Sequence, residues 1–402
     1  MSVTKQSTDK LILNLAILQS MKAVLKRLLQ GVLIIGLVIV VLSILGGDNV
    51  KEEKNSSREE TTTGKDDNSN RETALVKGNR VLGVHMIEQV SGAKGSPLYD
   101  ATFGKGISAG VQSVNMSVNW NDAETSGGTF KPELFAMANQ YYKKQNVQMD
   151  LDLRPVDTAG IMLPEDLKGK ALNDPEVILR FKKFLDNVFG AMPDVKFNFL
   201  AIGNEVDSVF IHDKKRYAEY EGFLKEVIPY AKAKRPGLKV GMIVTYAGLT
   251  SGDADEYQKL NALTDVLILT YYPLKGDYTT KKLPVFEKEI LKLFKLYPDK
   301  QIYFSEIGYP SSEKAGGSEA KQAQFVREVF EVWDKHQDRI QGVTFFSLNE
   351  LTQSSVNDLT KYFSVATDEF IATLGSMGLI AEDGREKEAF TVLKEEAQKR
   401  GW

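Results

Sequence analysis

From about residue 80 onward, short apolar runs rich in β-branched and aromatic residues alternate with longer amphipathic stretches, and this alternation restricts the fold more than any other feature of the chain. The runs are RVLGVHM (80–86), GVQSVNMSVNW (110–120), VQMDLDLRP (147–155), KFNFLAIGNE (196–205), KVGMIVTY (239–246), DVLILTYYP (265–273), QIYFSEIGYP (301–310) and GVTFFSLNE (342–350). Helices are legible between them. Asp174 as N-cap and Pro175 at the first helical position precede EVILRFKKFLDNVF, in which Val177, Phe181, Phe184, Leu185 and Val188 form one apolar face. Strands that alternate with helices build parallel βαβ units. Eight such units over roughly 320 residues predict an α/β fold of the (β/α)8 barrel type. The rival, a doubly wound open sheet, would carry a strand-GxGxxG-helix fingerprint, and none stands near the start of this region.

Ahead of the barrel lies LLQGVLIIGLVIVVLSIL, residues 28–45, 18 residues without a charge and long enough to approach a bilayer span. Lys5, Lys10, Lys22, Lys26 and Arg27 precede it, so the positive-inside rule puts the N-terminus in the cytoplasm. A cleaved signal peptide is the rival reading, but the charged leader is long and no A-x-A-like site follows the apolar run. Residues 48–75 are dense in charge and nearly free of apolar side chains, a composition that cannot offset its own ordering entropy. The expected organisation is therefore a cytoplasmic segment (1–27), a single transmembrane anchor (28–46), a disordered charged linker (47–77) and an extracellular barrel domain (78–402) at the plasma membrane.

Composition narrows the chemistry. The 402-residue chain has no cysteine, which excludes disulfides, thiolate catalysis and Cys-ligated metals; its three histidines, His85, His212 and His336, show no metal-ligand spacing. No metal and no cofactor is expected. A formal net charge of -3 gives no field to attract nucleic acid.

In a (β/α)8 barrel the chemistry sits at the C-terminal ends of the strands. Read in that order, the ends offer His85, Trp120, Asp152 with Arg154, Asn204 with Glu205, Thr245 with Tyr246, Tyr271 with Tyr272, Glu306, and Asn349 with Glu350. Glu205 and Glu306 emerge from the fourth and seventh strands and can face one another across the mouth. Two carboxylates flanking a bond are what glycoside hydrolysis requires: one protonates the leaving oxygen, the other attacks the anomeric carbon or activates water.

Asn-Glu after the fourth strand, and Glu in IYFSEIGYPSS after the seventh, resemble the two active-site signatures of the clan A, or 4/7, glycoside hydrolases. Within that clan, SEIGYPSS is most similar to plant-type β-1,3-glucanases and endo-β-1,4-galactanases. The resemblance implies a retaining β-glycosidase with Glu205 as acid/base, Glu306 as nucleophile, Asn204 on the sugar 2-hydroxyl, and Tyr271 or Tyr272 donating to the nucleophile. Successive residues of a strand face opposite ways, so only one of the two tyrosines can serve. Trp120 is read as a sugar platform or a core residue, and His85 as a subsite wall or a buried, satisfied histidine. At the end of the eighth strand FFSLNEL offers Phe346, Asn349 and Glu350 where many clan members place a tryptophan, and the second strand lacks the arginine many of them carry. Arg154, near Asp152 and Asp157, is read as a structural ion pair. The expected substrate is a cell-surface or environmental polysaccharide or oligosaccharide; a non-catalytic glycan-binding barrel and a transglycosylase are the alternatives.

Overall fold

The computed structural model describes residues 76–86 and 97–402. The transmembrane and linker readings fall outside these residues; among the described residues no helix is long and apolar enough to cross a membrane.

Eight parallel strands form the barrel: β1 (Val81–Val84), β2 (Ser113–Asn119), β3 (Gln148–Arg154), β4 (Phe197–Ile202), β5 in two pieces (Val240–Gly241 and Ile243–Thr245), β6 (Leu267–Tyr271), β7 (Ile302–Ile307) and β8 (Ile340–Phe345). The break at Met242 closes the ring. The first piece of β5 pairs with β4 through Leu200 and Val240, the second with β6 through Ile243 and Ile268, and β8 returns to β1 through Val81 and Gly342. The helices α1 (Pro97–Ser108), α2 (Glu133–Gln145), α3 (Pro175–Ala191), α4 (Lys214–Lys234), α5 (Ala254–Asn261), α6 (Phe286–Leu296) and α7 (Glu319–Lys335) follow β1 to β7 in turn. After β8 the chain makes a detour through α8 (Gln353–Phe363) and α9 (Asp368–Gly375) before the closing helix α10 (Glu388–Arg400).

The sequence rules hold in detail at α3. The Asp174 carboxylate accepts from the Glu176 backbone N–H at 2.8 Å, Pro175 occupies the first turn, and all five residues of the apolar face are buried against the barrel. Inside the barrel, Phe199, Ala201, Ile243, Val266 and Ile268 pack with Tyr303. A polar cluster shares this interior. Asp150 of β3 accepts from Asn198 of β4 at 2.7 Å, Ser113 of β2 at 3.0 Å and Thr344 of β8 at 2.8 Å, tying four strands through one buried carboxyl. Replacing Asp150 by Ala strands the buried Thr344 hydroxyl and takes the shared acceptor from Asn198 and Ser113, which keep only the Ser113 hydroxyl and, at 3.4 Å, the Gln148 carbonyl. Chemical denaturation should show a loss of about 3 kcal/mol, the scale of a buried donor set left unsatisfied.

Trp120 requires a correction. β2 ends at Asn119 and Trp120 opens a four-residue helix, which turns its ring away from the mouth. The indole is fully buried, edge-on to Phe181 at 5.0 Å and stacked on Phe184 at 6.2 Å, and its N–H donates to Glu124 at 2.9 Å. The apolar face of α3 captures it, so it is a core residue and no sugar platform.

Candidate active site

The stretch NFLAIGNEVD turns sharply at the end of β4. Gly203 takes φ +93°, and a Cβ there would sit 2.9 Å from both the Tyr220 hydroxyl and a Val206 methyl. Glu205 itself lies at φ +42°, a left-handed conformation that a side-chain-bearing residue adopts at a cost of about 1–3 kcal/mol. The Glu205 carboxyl is held by the hydroxyls of Thr270 (2.7 Å to Oε1) and Thr158 (3.1 Å to Oε2). Gly203→Ala combines a forbidden φ with a clash into packed side chains. It should cost about 2 kcal/mol or more in unfolding experiments, beyond what an exposed substitution would.

Glu306 is aimed by an irregularity. The pairing of β7 shifts register against β6 after Leu269 and against β8 between Phe304 and Ile307, which brackets Ser305 and Glu306. Such bulges re-aim side chains at barrel rims. The Glu306 carboxylate accepts from the Tyr272 hydroxyl at 2.5 Å, and its other oxygen lies 4.0 Å from His85 Nε2. That His85 nitrogen sits 3.1 Å from the Ser305 carbonyl, which can only accept, so the ring proton belongs on Nε2.

The strand alternation that the sequence left open at Tyr271 and Tyr272 is resolved by this contact. Tyr272 faces the mouth. Tyr271 is fully buried on the helix side, where its hydroxyl donates to Glu289 of α6 at 2.7 Å, so it takes no part in the site. Asn349 is also a correction. It lies in the base of the detour after β8, bridged to Ile380 and buried, and does not line the cavity.

A cavity of about 490 Å3 opens at this end of the barrel, and His85, Asn204, Glu205, Tyr272 and Glu306 all line it. Asn204 donates to Asp157 at 2.9 Å and to Thr158 at 3.3 Å, while its buried Oδ1 has no partner among the described residues. Arg154 is paired with Asp152 and, at 3.3 Å, with Asp157, as its spacing suggests, but it also borders the cavity. Burial opposes its charge, and Asp152, Asp157 and Glu306 together hold the guanidinium ionised.

The carboxyls differ in environment. Burial, then the charge of Glu306, then that of Asp207 push Glu205 up to about 8, against the opposing pull of the two threonine hydrogen bonds. Near neutrality Glu205 therefore keeps its proton, while Glu306 accepts the Tyr272 hydroxyl and shares the cavity with Arg154. Burial and the Glu306 charge hold the Tyr272 hydroxyl well above its ordinary value, so it stays a donor.

The raised value of Glu205 has a consequence for stability. The native state keeps this proton between about pH 4.5 and 8, where the unfolded chain has released it. The associated stability is complete below pH 4.5 and is lost as pH rises through about 8. Glu205→Gln should therefore raise the melting temperature by several degrees at pH 8.5 and leave it near the wild-type value at pH 4.5, as followed by calorimetry.

Several residues of the site escaped sequence reasoning. Thr158 and Thr270 are ordinary in sequence and acquire meaning only when the barrel closes on Glu205. Asn115 and Ser117 line the cavity from β2, and their i, i+2 spacing was the available signal. Tyr362, from the unforeseen helix α8, lines it too. Among the described residues no cluster of three or more His, Asp or Glu could hold a metal ion.

No protein-family model and no curated protein matches the sequence. Solved structures do resemble it. A glutamate-to-alanine variant of a GH5_18 protein from Streptomyces cattleya, in complex with Manβ1-4GlcNAc, superposes with a TM-score of 0.61 at 16% identity, covering 79% of this chain and 80% of that one. A corresponding variant from Bifidobacterium longum subsp. longum, in complex with the same disaccharide, gives a TM-score of 0.62 at 15% identity, over 79% and 78%. An exo-β-1,4-mannosidase from Opitutaceae bacterium strain TAV5 gives 0.59 at 13%, over 79% of this chain and 59% of that one. At these identities the likeness establishes a shared (β/α)8 barrel. The finer similarity to β-1,3-glucanases and endo-β-1,4-galactanases rests on SEIGYPSS alone.

Proposed function

We propose that this protein is a retaining β-glycosidase acting on a neutral sugar, with Glu205 as general acid/base and Glu306 as nucleophile. The observation that carries the proposal is the split between two carboxyls lining one cavity: one kept protonated near neutral pH, the other accepting the Tyr272 hydroxyl. The barrel shared with GH5_18 glycoside hydrolases and an exo-mannosidase supports it, as do the Asn204-Glu205 and SEIGYPSS signatures.

In the first half-reaction a Glu306 oxygen attacks the anomeric carbon as Glu205 transfers its proton to the glycosidic oxygen. The C–O bond breaks, the aglycone departs as an alcohol, and an ester joins the sugar to Glu306. Glu205, now ionised, takes a proton from an incoming water whose oxygen displaces Glu306, so both carboxyls return to their starting states. Asn204, which lines the cavity next to Glu205, is the residue for the sugar 2-hydroxyl. Tyr272 orients Glu306 for attack, and His85, fixed by Ser305, forms the wall beside it.

The preference for a neutral sugar follows from charge. Arg154 is the only lysine or arginine among the described lining residues, and Asp152 and Asp157 already engage it. A uronate would meet Asp157, Glu205 and Glu306 with no free cation to receive it. The membrane anchor at residues 28–46 remains part of the proposal, on the strength of its uncharged run and flanking lysines, and would hold the barrel outside the cell.

A panel of aryl β-glycosides tests this. Neutral glycosides should be hydrolysed and glucuronides should not. Glu306→Ala and Glu205→Ala should each lower kcat/KM by at least a hundredfold on natural-type leaving groups. The profile of kcat/KM against pH should lose activity on the alkaline side near pH 8, because Glu205 must carry its proton, and a profile flat from pH 6 to 10 would contradict the acid assignment. Turnover unaffected by both substitutions would remove the site from consideration.

A further inference from the structure

The cavity has two chemically distinct sides. Strands β1 to β4 and the turns after them contribute His85, Asn115, Ser117, Arg154, Thr158 and Asn204, all able to hydrogen-bond sugar hydroxyls. Another part of the lining is supplied by the detour after β8, chiefly α8, α9 and the link between them. From it Leu359, Phe363, Val365, Phe370, Leu374 and Met377 reach the cavity. Only two polar groups of that detour line the cavity, and both are committed. The Tyr362 hydroxyl donates to Asp157, across the mouth, and the Thr373 hydroxyl donates to the Tyr278 carbonyl at 2.9 Å.

This wall is built to keep its shape. Phe346, Leu351, Val356, Leu359 and Met377 form a cluster of their own, against which Tyr272, Leu274, Phe363, Ile371 and Leu374 pack. Tyr278, on the turn after β6, lies against Phe370 at 4.8 Å between ring centres. At the base, Leu379 and Ile380 bond to the backbone of Ser347 and Leu348. Lys387, itself buried, pairs with Glu350 at 2.5 Å and donates to Ser311 at 3.0 Å. The apolar side is therefore a fixed surface and not a loose flap.

A second sugar unit placed against such a wall would bury several hydroxyls with nothing to bond them, at a cost for each comparable to a lost hydrogen bond. An apolar group there would instead be removed from water with no polar group stranded. The wall is continuous with the cavity that holds Glu205 and Glu306, so its occupant belongs to the molecule whose glycosidic bond lies between them. The sugar, which needs the donors and acceptors of β1 to β4, takes the polar side, and the leaving group takes the other. We propose that the substrate is a glycoside of an apolar alcohol, one neutral sugar linked to an alkyl or aryl aglycone, in place of a sugar polymer. The inference rests on the glycosidase reading above and names the substrate class of that same site.

The test is an n-alkyl series, methyl, butyl and hexyl β-glycosides of the sugar that the aryl panel identifies, set beside the corresponding β-linked disaccharide. Alkyl alcohols differ little in leaving-group acidity, so differences in kcat/KM along the series report contact and not chemistry. Each buried methylene should raise kcat/KM by up to about fourfold. Methyl and hexyl differ by five methylenes, so up to about a thousandfold is expected between them, with the disaccharide below hexyl. Phe363→Asn and Leu374→Asn, on separate elements of the wall, should each reduce the hexyl-to-methyl ratio at least tenfold, and circular dichroism will show whether each is folded. A flat series, or a disaccharide cleaved faster than the hexyl glycoside, overturns the apolar-aglycone assignment while leaving the glycosidase standing. No hydrolysis of any glycoside overturns both.

Discussion

The arrangement at the mouth of the barrel depends on one electrostatic constraint: two carboxyl groups in one partly dry cavity resist being ionised together. The protein answers by giving them unequal surroundings. Glu205 is half-buried, held by threonine hydroxyls within the field of Glu306 and Asp207, and it keeps its proton. Glu306 receives the Tyr272 hydroxyl and shares the cavity with Arg154. Backbone features elsewhere make sense as the means of holding this asymmetry. They include the left-handed turn at Gly203 and Glu205, the register shift around Ser305, and the ion pairs that fix Arg154 between Asp152 and Asp157.

Much of the architecture was legible because its causes are local. Apolar runs bounded by breakers mark the barrel strands, and the N-cap, proline and apolar face of α3 act within a few residues of one another. The strand-end rule then pointed to His85, Asn204, Glu205, Tyr272 and Glu306, which share one cavity. What could not be read depended on where a strand stops or which way it faces. Trp120 lies one residue past the end of β2, and that single residue sends it into the layer between barrel and helices. Tyr271 and Tyr272 are equivalent in sequence, and only the phase of the pleat separates them. Asn349 follows a strand end by several residues and has already turned into the detour.

The detour after β8 was the largest omission. Its helices carry few signals that distinguish them from ordinary barrel helices, and little of the lining comes from the stretch after β3. That stretch does contribute Thr158 and Ala159. The apolar side, however, is made by residues 359–377, whose role is evident only once Tyr362 is seen to reach Asp157, 205 positions away in sequence. The constraint that divides the two carboxyls and the wall that shapes the leaving-group side are thus separate inventions on one scaffold, the first local to the strand ends and the second an addition to the last βα loop.

The division of labour between Glu205 and Glu306 is open to azide rescue. An activated aryl β-glycoside turned over by the wild-type protein is incubated with each alanine variant in the presence of azide, and the anomeric configuration of the product is determined by NMR. With Glu306→Ala, azide should enter from the vacated nucleophile side and give the α-glycosyl azide. With Glu205→Ala, the covalent intermediate still forms and azide should intercept it to give the β-glycosyl azide. The opposite pairing of variant and configuration, or the same azide from both, would contradict the assignment.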